Sequence, residues 1–474
     1  MMRRRFKSYI LEDIEIIDAG SEGKSVAKVD GQALFIPYGV PGDVVDVQIT
    51  NKKKGYMEGK IVAITKPSAH RIDPTCDHFG VCGGCKWQIM DYTQQLVYKQ
   101  KQVHDNFKYL GKFEYPEINT ILGSEKQYFY RNKLEYTFSN LRWLEDVDMA
   151  QRDAGIELEV RGLGFHVPGK FDKVVDVQHC SLQADPSNQI RLAVKAFAME
   201  HEIPFFNLRS HEGVLRNLII RTSTTGELMV ILSMTELNEV TQHLLEYLVQ
   251  EFPQITSLQY VINTKMNDTI SDLEIQLFHG KPYITEKMED LEFMIGPISF
   301  YQTNSEQAYH LYQIAKEFAQ IGSEDVVYDL YTGTGTIANF VARSAKKVVG
   351  IEYVDEAIKD ARKNSSHNNI KNTAFFAGDM KDVLSPGFIK KQGTPSIVIT
   401  DPPRSGMHNN VIERLLEIEP KRIVYVSCNP ATQARDITLL SSRYQVTKVQ
   451  PVDMFPHTHH VENVALLELK DREN

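Results

Sequence analysis

Cys428 lies in a polar turn, Ser427-Cys428-Asn429-Pro430, where a thiol could act as a nucleophile. A lone cysteine is more often an inert core residue, because free Cys is among the most buried residue types. The thiolate is the nucleophilic form, and it needs an accessible setting with a cation nearby. The polar neighbours favour the reactive interpretation, and Arg404 is a candidate for the cation.

Covalent catalysis by a thiolate at carbon also requires a proton acceptor at the same site. The segment 456–463, Pro-His-Thr-His-His-Val-Glu-Asn, offers imidazoles and one carboxylate. We take Glu462 as the predicted base. Two other interpretations stay open: Glu462 is a surface residue at a strand edge, or His457, His459 and His460 bind a metal ion.

A glycine-containing turn at 329–336, Asp-Leu-Tyr-Thr-Gly-Thr-Gly-Thr, follows a predicted strand and begins a predicted helix. Glycine permits a tight turn and a close approach of the backbone to a ligand. Residues 333–338 also fit the dinucleotide pattern Gly-x-Gly-x-x-Ala. The turn alone therefore does not separate a nicotinamide cofactor from S-adenosylmethionine.

Acidic residues mark the ends of the first four predicted strands of this region, at Asp329, Glu352, Asp379 and Asp401. A carboxylate at Glu352 can accept two hydrogen bonds from a ribose diol, and Asp379 suits the exocyclic amine of adenine. S-adenosylmethionine carries a cationic sulfonium and an ammonium group but no pyrophosphate, so the four acidic residues favour it. Each aspartate alone would serve equally well as a helix N-cap.

Cys76, Cys82 and Cys85 are spaced so that three thiolates could converge on one centre, and Cys180 would supply a fourth. Four thiolates suit an iron–sulfur cluster or a structural zinc ion. Zinc ribbons usually contain two Cys-x-x-Cys pairs, whereas this chain has one. Spacing alone leaves both interpretations open, together with that of unrelated thiols.

Strands alternating with helices must position the reactive residues. From about residue 295 the pattern predicts a doubly wound, mostly parallel sheet that ends in a hairpin. Its strands are predicted at 326–330, 347–352, 374–378, 396–400, 422–427, 444–453 and 462–469. Ligands bind at the carboxyl ends of the strands in such a sheet, which is where Cys428 falls.

Two further regions precede this sheet. Short strand-like runs separated by turns predict a small β-barrel of the OB type at residues 1–68. Residues 69–292 are predicted to form an α+β domain, with a helix at 93–110 and an acidic loop at 145–158. The third domain would then span residues 293–474.

The composition is that of a globular protein. Hydrophobic residues make up 42% of the chain and charged residues 24%. No apolar run approaches the roughly 18 residues of a membrane helix, and no secretory signal is seen, so we expect a cytoplasmic protein with no membrane partner. Five cysteines in 474 residues do not suit a disulfide scaffold.

The net charge of −9 argues weakly against a nucleic-acid binder, but the charge is unevenly distributed. Residues 1–71 contain 12 Lys and Arg against 9 Asp and Glu. Contacts with RNA would therefore have to come from local basic patches. Tyr130, Arg131 and Lys133 could make such contacts, although ordinary strand-surface positions explain them equally well.

Together these residues resemble the RNA (uracil-5-)-methyltransferase family. The resemblance covers nearly the whole chain, and residues 1–67 resemble the family's TRAM module, an OB-like RNA-binding barrel. Several independent motifs fall in the family's order. They are the cysteines at 76–85 with Lys-Trp-Gln at 86–88, Cys-Ser-Leu at 180–182, Ser-Phe-Tyr-Gln-Thr-Asn at 299–304, the turn at 329–335, Asp-Pro-Pro-Arg-Ser-Gly at 401–406, and the segments 427–430 and 459–464.

The resemblance implies methylation of C5 of a uridine in RNA, with S-adenosylmethionine as the methyl donor. It assigns Cys428 as the nucleophile that adds to C6 and Glu462 as the base that removes the C5 proton. It implies a [4Fe-4S] cluster on Cys76, Cys82, Cys85 and Cys180. The cofactor contacts that it implies are Gln302, Tyr331, Thr336, Glu352, Asp379 and Asp401.

The expected architecture is therefore α/β: a Rossmann-like methyltransferase domain preceded by an OB-like β-barrel and a central α+β iron–sulfur domain. A TRAM-like module together with a cluster resembles the branch that acts on 23S rRNA more than the tRNA branch, and we expect a monomer. Two positions depart from the family pattern, which usually has Cys at Thr332 and often Asn at Thr336.

Two functions of other classes stay open. An adenine amino-methyltransferase would have an aromatic residue where this chain has Arg404, and it would leave Cys428 without a role. A non-enzymatic, redox-sensing RNA-binding protein built on the cysteine cluster would leave the acidic residues of the cofactor site without a role.

Overall fold

Three large β-sheets, with a two-stranded hairpin between the second and the third, follow one another along the described part of the chain. The computed structural model of the protein describes residues 8–471, so the outer ends of the first and last predicted domains lie outside the described residues. Within that range, none of the helices combines the length and the apolar character needed to cross a membrane.

The first sheet has six strands in the order β1-β5-β6-β4-β3-β2. Alternate side chains of its strands, such as Val45, Val47 and Ile49, point to one side and form a small apolar core of their own. The strands are β1 (Tyr9–Glu15), β2 (Asp18–Ala19), β3 (Lys24–Val29), β4 (Gln32–Pro37), β5 (Val44–Lys52) and β6 (Tyr56–Lys66).

A helix and a second sheet form the middle of the chain. Helix α1 (Tyr92–Asp105) continues into a π-helical turn, Asn106–Gly111, close to the predicted helix. The seven strands of the sheet are β7 (Lys133–Ser139), β8 (Gly162–His166), β9 (Val174–Asp176), β10 (Leu215–Thr222), β11 (Leu228–Met234), β12 (Ser257–Ile262) and β13 (Ile275–Gly280). They lie in the order β13-β12-β11-β10-β7-β8-β9.

Three helices accompany this sheet: α2 (Asp146–Asp153), α3 (Ser187–Glu200) and α4 (Glu239–Glu251). The prediction of a loop at 145–158 was wrong, since α2 lies within it. The Nη2 atom of Arg142 lies 2.7 Å from Oδ1 of Asp148 in the first turn of α2. Acidic residues in a first turn are favourable because they face the positive end of the helix dipole, so the acidic composition is compatible with a helix.

A short hairpin connects the second sheet to the third. Its strands are β14 (Ile284–Met288) and β15 (Leu291–Ile295). Apolar side chains of the hairpin pack into one core with Ile219 and Ile231 of the second sheet and with the strands of the third sheet. The second and third sheets are therefore joined by a common apolar core as well as by the chain of the hairpin.

The third sheet is doubly wound, as predicted. Its order is β18-β17-β16-β19-β20-β22-β21; the first five strands in this order are parallel, and β22 is antiparallel to both of its neighbours, β20 and β21. The strands are β16 (Val326–Leu330), β17 (Lys347–Glu352), β18 (Thr373–Ala377), β19 (Ile397–Thr400), β20 (Arg422–Ser427), β21 (Tyr444–Val452) and β22 (Glu462–Leu469). The strand order reverses between β16 and β19, because the chain builds the sheet outward in one direction from β16 and in the other from β19. Such a switch point is where sheets of this type bind ligands.

Seven helices belong to this part of the chain. They are α5 (Ser305–Ala319), α6 (Thr336–Ala342), α7 (Asp355–His367), α8 (Met380–Val383), α9 (Pro386–Gln392), α10 (Asn409–Ile418) and α11 (Pro430–Leu440). The apolar faces of α10 and α11 and the buried side of the sheet form one core with Val103 and Phe107, which lie in α1 and the turn after it. Helix α1 is thus packed against the third sheet.

A buried ion pair joins α1 to the segment that follows β21. The Nζ atom of Lys99 lies 2.6 Å from Oδ1 of Asp453, and neither side chain is exposed to solvent. Lys99 also donates to the carbonyl oxygen of Phe455 at 3.0 Å, and the hydroxyl of Tyr92 donates to Oδ2 of Asp453 at 2.9 Å. A buried charge is tolerated only when it is paired and hydrogen-bonded, so this contact fixes where α1 can sit.

Replacing Lys99 with methionine leaves the carboxylate of Asp453 buried without a cation. We expect the Lys99→Met variant to lose about 3–5 kcal/mol of unfolding free energy, the usual cost of breaking a buried pair. The double variant Lys99→Met/Asp453→Asn should recover much of that loss because no charge remains buried. Urea denaturation followed by fluorescence measures both, and equal losses in the two variants would contradict the charge-pairing argument.

Candidate functional site

Cys428 stands between β20 and α11, at the carboxyl-terminal edge of the third sheet, and its thiol is half-buried. Hydrogen bonds make the turn rigid. The amide of Asn429 donates to Oγ of Ser427 at 3.1 Å, and Oδ1 of Asn429 accepts from the amide of Ala431 at 3.2 Å, which caps α11. The thiol is thus carried on a fixed strand-to-helix turn.

Glu462 is brought to Cys428 by strand pairing. Strand β22 runs antiparallel to β20, and Ser427 pairs with Asn463, so the first residue of β22 lies beside the turn that follows β20. Glu462 is only 4% exposed. Burial and the neighbouring carboxyl of Asp401 raise the pKa of Glu462 well above its usual value, while Arg404 opposes the shift.

Negative neighbours also act on the thiol. The pKa of Cys428 is raised to about 11, mainly by burial and then by Glu462 and Asp401, while Arg404 opposes the shift. Arg404 is therefore the nearby cation that the sequence suggested, but in this structure it does not outweigh burial and the two carboxyls. A ligand that brings positive charge would shift the balance toward the thiolate.

The loop after β19 carries both Asp401 and Arg404 and is tied to the cysteine turn. The carbonyl oxygen of Arg404 accepts from Nδ2 of Asn429 at 2.9 Å and from Oγ1 of Thr432 at 3.2 Å. The end of the same loop is held by Asp436 of α11, which accepts from the amide of Met407 at 2.8 Å. Asn429, the residue after Cys428, thus fixes the backbone of Arg404.

The glycine turn after β16 is closed by acidic side chains. The hydroxyl of Thr332 donates to Oδ2 of Asp329 at 2.5 Å, and the amide of Gly333 donates to Oε2 of Glu352 at 3.2 Å. Gly333 and Gly335 have φ angles of 53° and 76°, a region that favours glycine. Burial raises the pKa of Asp329 to about 7, opposed by Thr332 and reinforced by Asp401 and Glu352.

Two further predicted cofactor residues, Tyr331 and Asp379, lie near this turn, whereas the side chain of Thr336 faces the turn itself. Tyr331 lies near both Glu352 and Asp379, which help to raise its pKa to about 12 after burial. Asp379 caps α8, accepting from the amide of Lys381 at 3.2 Å, and its side chain is 39% exposed. Thr336 is buried, with its hydroxyl 3.3 Å from that of Thr334, so its side chain is directed to the turn itself.

Sequence reasoning missed Tyr312, which lies on the buried face of α5. Its hydroxyl is hydrogen-bonded to the side chain of Gln302, and its pKa is raised first by burial and then by Asp401, Asp329 and Glu462. Tyr312 thus connects Gln302 to the carboxyl cluster. The available signal was a tyrosine on the apolar stripe of a helix, because a buried tyrosine hydroxyl needs a polar partner.

The three histidines before Glu462 are neutral at ordinary pH. Burial and nearby cations lower the pKa of His457 to about 4, of His459 to about 4 and of His460 to about 3. Within residues 8–471, no three or more His, Cys, Asp or Glu side chains are grouped so that they could hold a metal ion. The three histidines of the alternative metal site form no such group among these residues.

The four clustered cysteines line one cavity of about 690 Å³ between the 76–85 segment and the second sheet. All four are free thiols. The pKa of Cys82 is raised to about 11 and that of Cys85 to about 12, mainly by burial and then by the neighbouring thiols, Cys180 acting on both. The sequence distance between Cys85 and Cys180 is thus closed by the fold.

Comparison with known proteins places this geometry in a family. Residues 274–470 match the model of the tRNA (Uracil-5-)-methyltransferase family, and residues 12–62 match the TRAM domain. An uncharacterized RNA methyltransferase of Bacteroides thetaiotaomicron is 58% identical over 454 residues, covering 95% of this chain and 100% of that protein. One from Chlorobaculum tepidum is 38% identical over 473 residues, covering 98% and 97%.

Among solved structures, the chain is similar to the Pyrococcus abyssi tRNA (uracil-54, C5)-methyltransferase in complex with S-adenosyl-L-homocysteine. The TM-score is 0.74 at 28% sequence identity, and the match covers 96% of this chain and 100% of the other. Fold and cofactor turn together define an S-adenosylmethionine-dependent methyltransferase. More narrowly, the chain belongs to the RNA (uracil-5-)-methyltransferase family, and its first sheet is a TRAM domain.

The charges around Cys428 predict how its alkylation depends on pH. Because the thiol pKa is raised to about 11, the rate of reaction with iodoacetamide should keep rising through pH 9 without a plateau. Glu462→Gln should make Cys428 react faster at a given pH, since it removes a carboxyl that raises the pKa, and Arg404→Met should slow it. Peptide mass spectrometry isolates the modification at Cys428 from the other thiols, and slower alkylation in Glu462→Gln or faster alkylation in Arg404→Met would contradict this electrostatic account.

Proposed function

We propose that the protein methylates C5 of a uridine in RNA through a covalent adduct on Cys428. The observation that carries the proposal is the placement of Cys428 and Glu462 side by side at the cofactor edge of the sheet. C5 of uracil is a weak nucleophile. A nucleophile and a base on the same edge can activate C5 and then remove its proton.

In the proposed sequence, the Cys428 thiolate forms a bond to C6, and the electron pair of the C5–C6 double bond moves onto the ring as an enolate. S-adenosylmethionine supplies an electrophilic methyl group. C5 takes that methyl group as its bond to sulfur breaks. Glu462 then accepts the C5 proton, and the electrons left behind expel the thiolate from C6, which restores both the double bond and the enzyme.

The carboxyl cluster gives the cofactor a role beyond methyl supply. Asp329, Asp401 and Glu462 are buried near one another, so burial and mutual repulsion raise the pKa values of these carboxyl groups. A bound sulfonium and ammonium would offset that repulsion. The proposed cofactor contacts are Gln302, Tyr331, Glu352, Asp379 and Asp401, with Thr336 acting through the turn.

For the RNA, 23S rRNA is the proposed substrate class, because the TRAM module and the four-cysteine set together resemble the rRNA branch. A tRNA is the second candidate, since a solved structure that matches over nearly the whole chain is that of a tRNA (uracil-54, C5)-methyltransferase. In either case the target base must leave its stack to expose C6 to the thiol. The OB-like TRAM barrel and the central α+β domain would hold the RNA.

We further propose a [4Fe-4S] cluster on Cys76, Cys82, Cys85 and Cys180. The four thiols line one cavity, so a single group could bind all of them. The choice of an iron–sulfur cluster over a zinc ion rests on the resemblance of the cysteine motifs to those of the family. The cluster would crosslink the 76–85 segment to the second sheet, a structural role, because the proposed reaction transfers no electrons.

The covalent step can be tested with RNA that contains 5-fluorouridine, because fluorine at C5 cannot leave as a proton does. Incubation with S-adenosylmethionine should give a methylated RNA adduct on Cys428 that survives a denaturing gel, and Cys428→Ala should give none. On ordinary RNA, Glu462→Gln should accumulate the same kind of adduct. Methylation that persists in Cys428→Ala would support an amino-methyltransferase instead, and rRNA and tRNA tested side by side identify the substrate class.

The cluster proposal predicts iron and sulfide in protein purified without oxygen. We expect about four iron atoms per chain and a broad absorption band in the visible range, as in other iron–sulfur proteins. Cys82→Ser should lower the iron content sharply, whereas Cys428→Ser should leave it unchanged. Stoichiometric zinc in place of iron, lost in Cys82→Ser, would overturn the cluster in favour of a zinc site.

A further inference from the structure

The cavity that the cysteines line has a second wall with an unusual charge arrangement. This wall is formed by β7, β10 and the segment 298–303. Lys133 of β7 and Arg221 of β10 are directly paired residues of neighbouring antiparallel strands, so their side chains rise side by side on one face. Like charges at directly paired positions destabilise a sheet unless something of opposite charge lies between them.

Arg221 is deeply buried and lacks a countercharge. It is only 3% exposed, and its Nη1 atom donates to the carbonyl oxygens of Gly296 and Ser299 at 2.8 and 2.9 Å. Among the described residues, no carboxylate contributes to the pKa shift of its guanidinium. Burial, with no opposing charge, lowers the pKa of Arg221 to about 10. Carbonyl dipoles alone thus support this cation.

Lys133 is scarcely better compensated. Its nearest carboxylate, that of Glu135, lies 3.9 Å away, and the two side chains are 36% and 42% exposed. Exposed pairs at this distance contribute little. Burial lowers the pKa of Lys133, and the charges of Arg221 and Arg131 lower it further against Glu135. The wall therefore holds three cations around a cavity and a single loosely placed anion.

Arg131 completes this group but also faces the cysteines. It lies two residues before Lys133 and forms a β-bridge with Asn304, and its charge lowers the pKa of the Cys180 thiol. Its charge would therefore be shared with whatever the thiols bind. Lys133 and Arg221 are not among the groups that shift the pKa of the Cys180 thiol, and Glu135 is the one carboxylate beside them in the described part of the cavity wall.

We propose that Arg221, Lys133 and Arg131 form a cradle that binds a phosphodiester of the RNA backbone beside the target uridine. The inference rests on the proposed function, because it takes RNA as the substrate. The position suits such a contact: the cradle borders the segment 298–303, in which Phe300 is 67% exposed and Gln302 reaches the carboxyl cluster through Tyr312. A phosphate bound here would anchor the strand close to the base that enters the catalytic site.

Backbone phosphates are the chemistry that such a group fits. Arginine and lysine are the usual partners of phosphate oxygens, and these contacts set position without reading sequence. The chain has a net charge of −9, so affinity for RNA must depend on local groups of this kind. The cradle would also explain why two paired strands retain cations at directly opposed positions.

Lys133→Met tests the cradle because the side chain of Lys133 is partly exposed and its ion pair with Glu135 is long, at 3.9 Å. The probe is a short fluorescein-labelled oligouridylate, and its affinity is measured by anisotropy over a series of potassium chloride concentrations. Loss of one phosphate contact should weaken binding several-fold and reduce the slope of log affinity against log salt by about 0.7. Lys133→Arg should restore both, and Lys390→Met, which removes an exposed lysine of α9, should change neither.

A second measurement removes the charge from the ligand instead of the protein. On an oligouridylate with an uncharged methylphosphonate backbone, wild type and Lys133→Met should bind equally. Arg221→Gln should weaken binding to the charged probe more than Lys133→Met does, and its melting temperature and cofactor affinity show whether it remains folded. Wild-type affinity and salt slope in Lys133→Met would overturn the cradle.

These outcomes are separate from those of the proposed function. If the 5-fluorouridine adduct forms on Cys428 but Lys133→Met binds RNA as wild type does, only the cradle fails. If wild type binds the oligouridylate with a salt slope that Lys133→Met reduces, yet no adduct forms on rRNA or tRNA, the cradle stands and the proposed chemistry fails.

Discussion

The buried contact between Lys99 and Asp453 is the constraint on which the rest of the site depends. It fastens the segment 453–460, which leads into Glu462, to helix α1. Gln95 continues the same contact, accepting from the amide of His457 at 2.8 Å, and the amide of Trp87 donates to the His457 carbonyl oxygen at 2.9 Å. The predicted base therefore has its position set by residues from the middle of the chain.

That arrangement links the two chemically distinctive regions of the molecule. Trp87 follows Cys85 by two residues, and the hydroxyl of Tyr130 donates to the carbonyl oxygen of Pro456 at 3.0 Å. The cysteine-lined cavity and the segment before Glu462 are consequently neighbours in a single hydrogen-bonded framework. A group that crosslinked the cysteines would stiffen that framework without taking part in methyl transfer.

The two sides of the site carry charges of opposite sign. At the sheet edge, buried carboxyls surround Cys428 and raise its pKa, which suits a cationic cofactor. Across the segment 298–303, Lys133 and Arg221 lie without adequate countercharge, which suits an anionic strand. A methyl donor that is positive and an RNA that is negative would each meet the opposite charge.

The sequence by itself determined the local features. The strand bounds of β16, β17, β20 and β22 agree with those predicted from apolar runs and turns, because these depend on residues close in sequence. Motif order identified the family, and the family match confirms it. Contacts between segments that are distant in sequence could not be predicted from apolar runs, turns or motif order. Tyr312, Arg221 and the Lys99–Asp453 pair acquire their roles only when the chain folds, since burial and charge proximity are properties of tertiary packing.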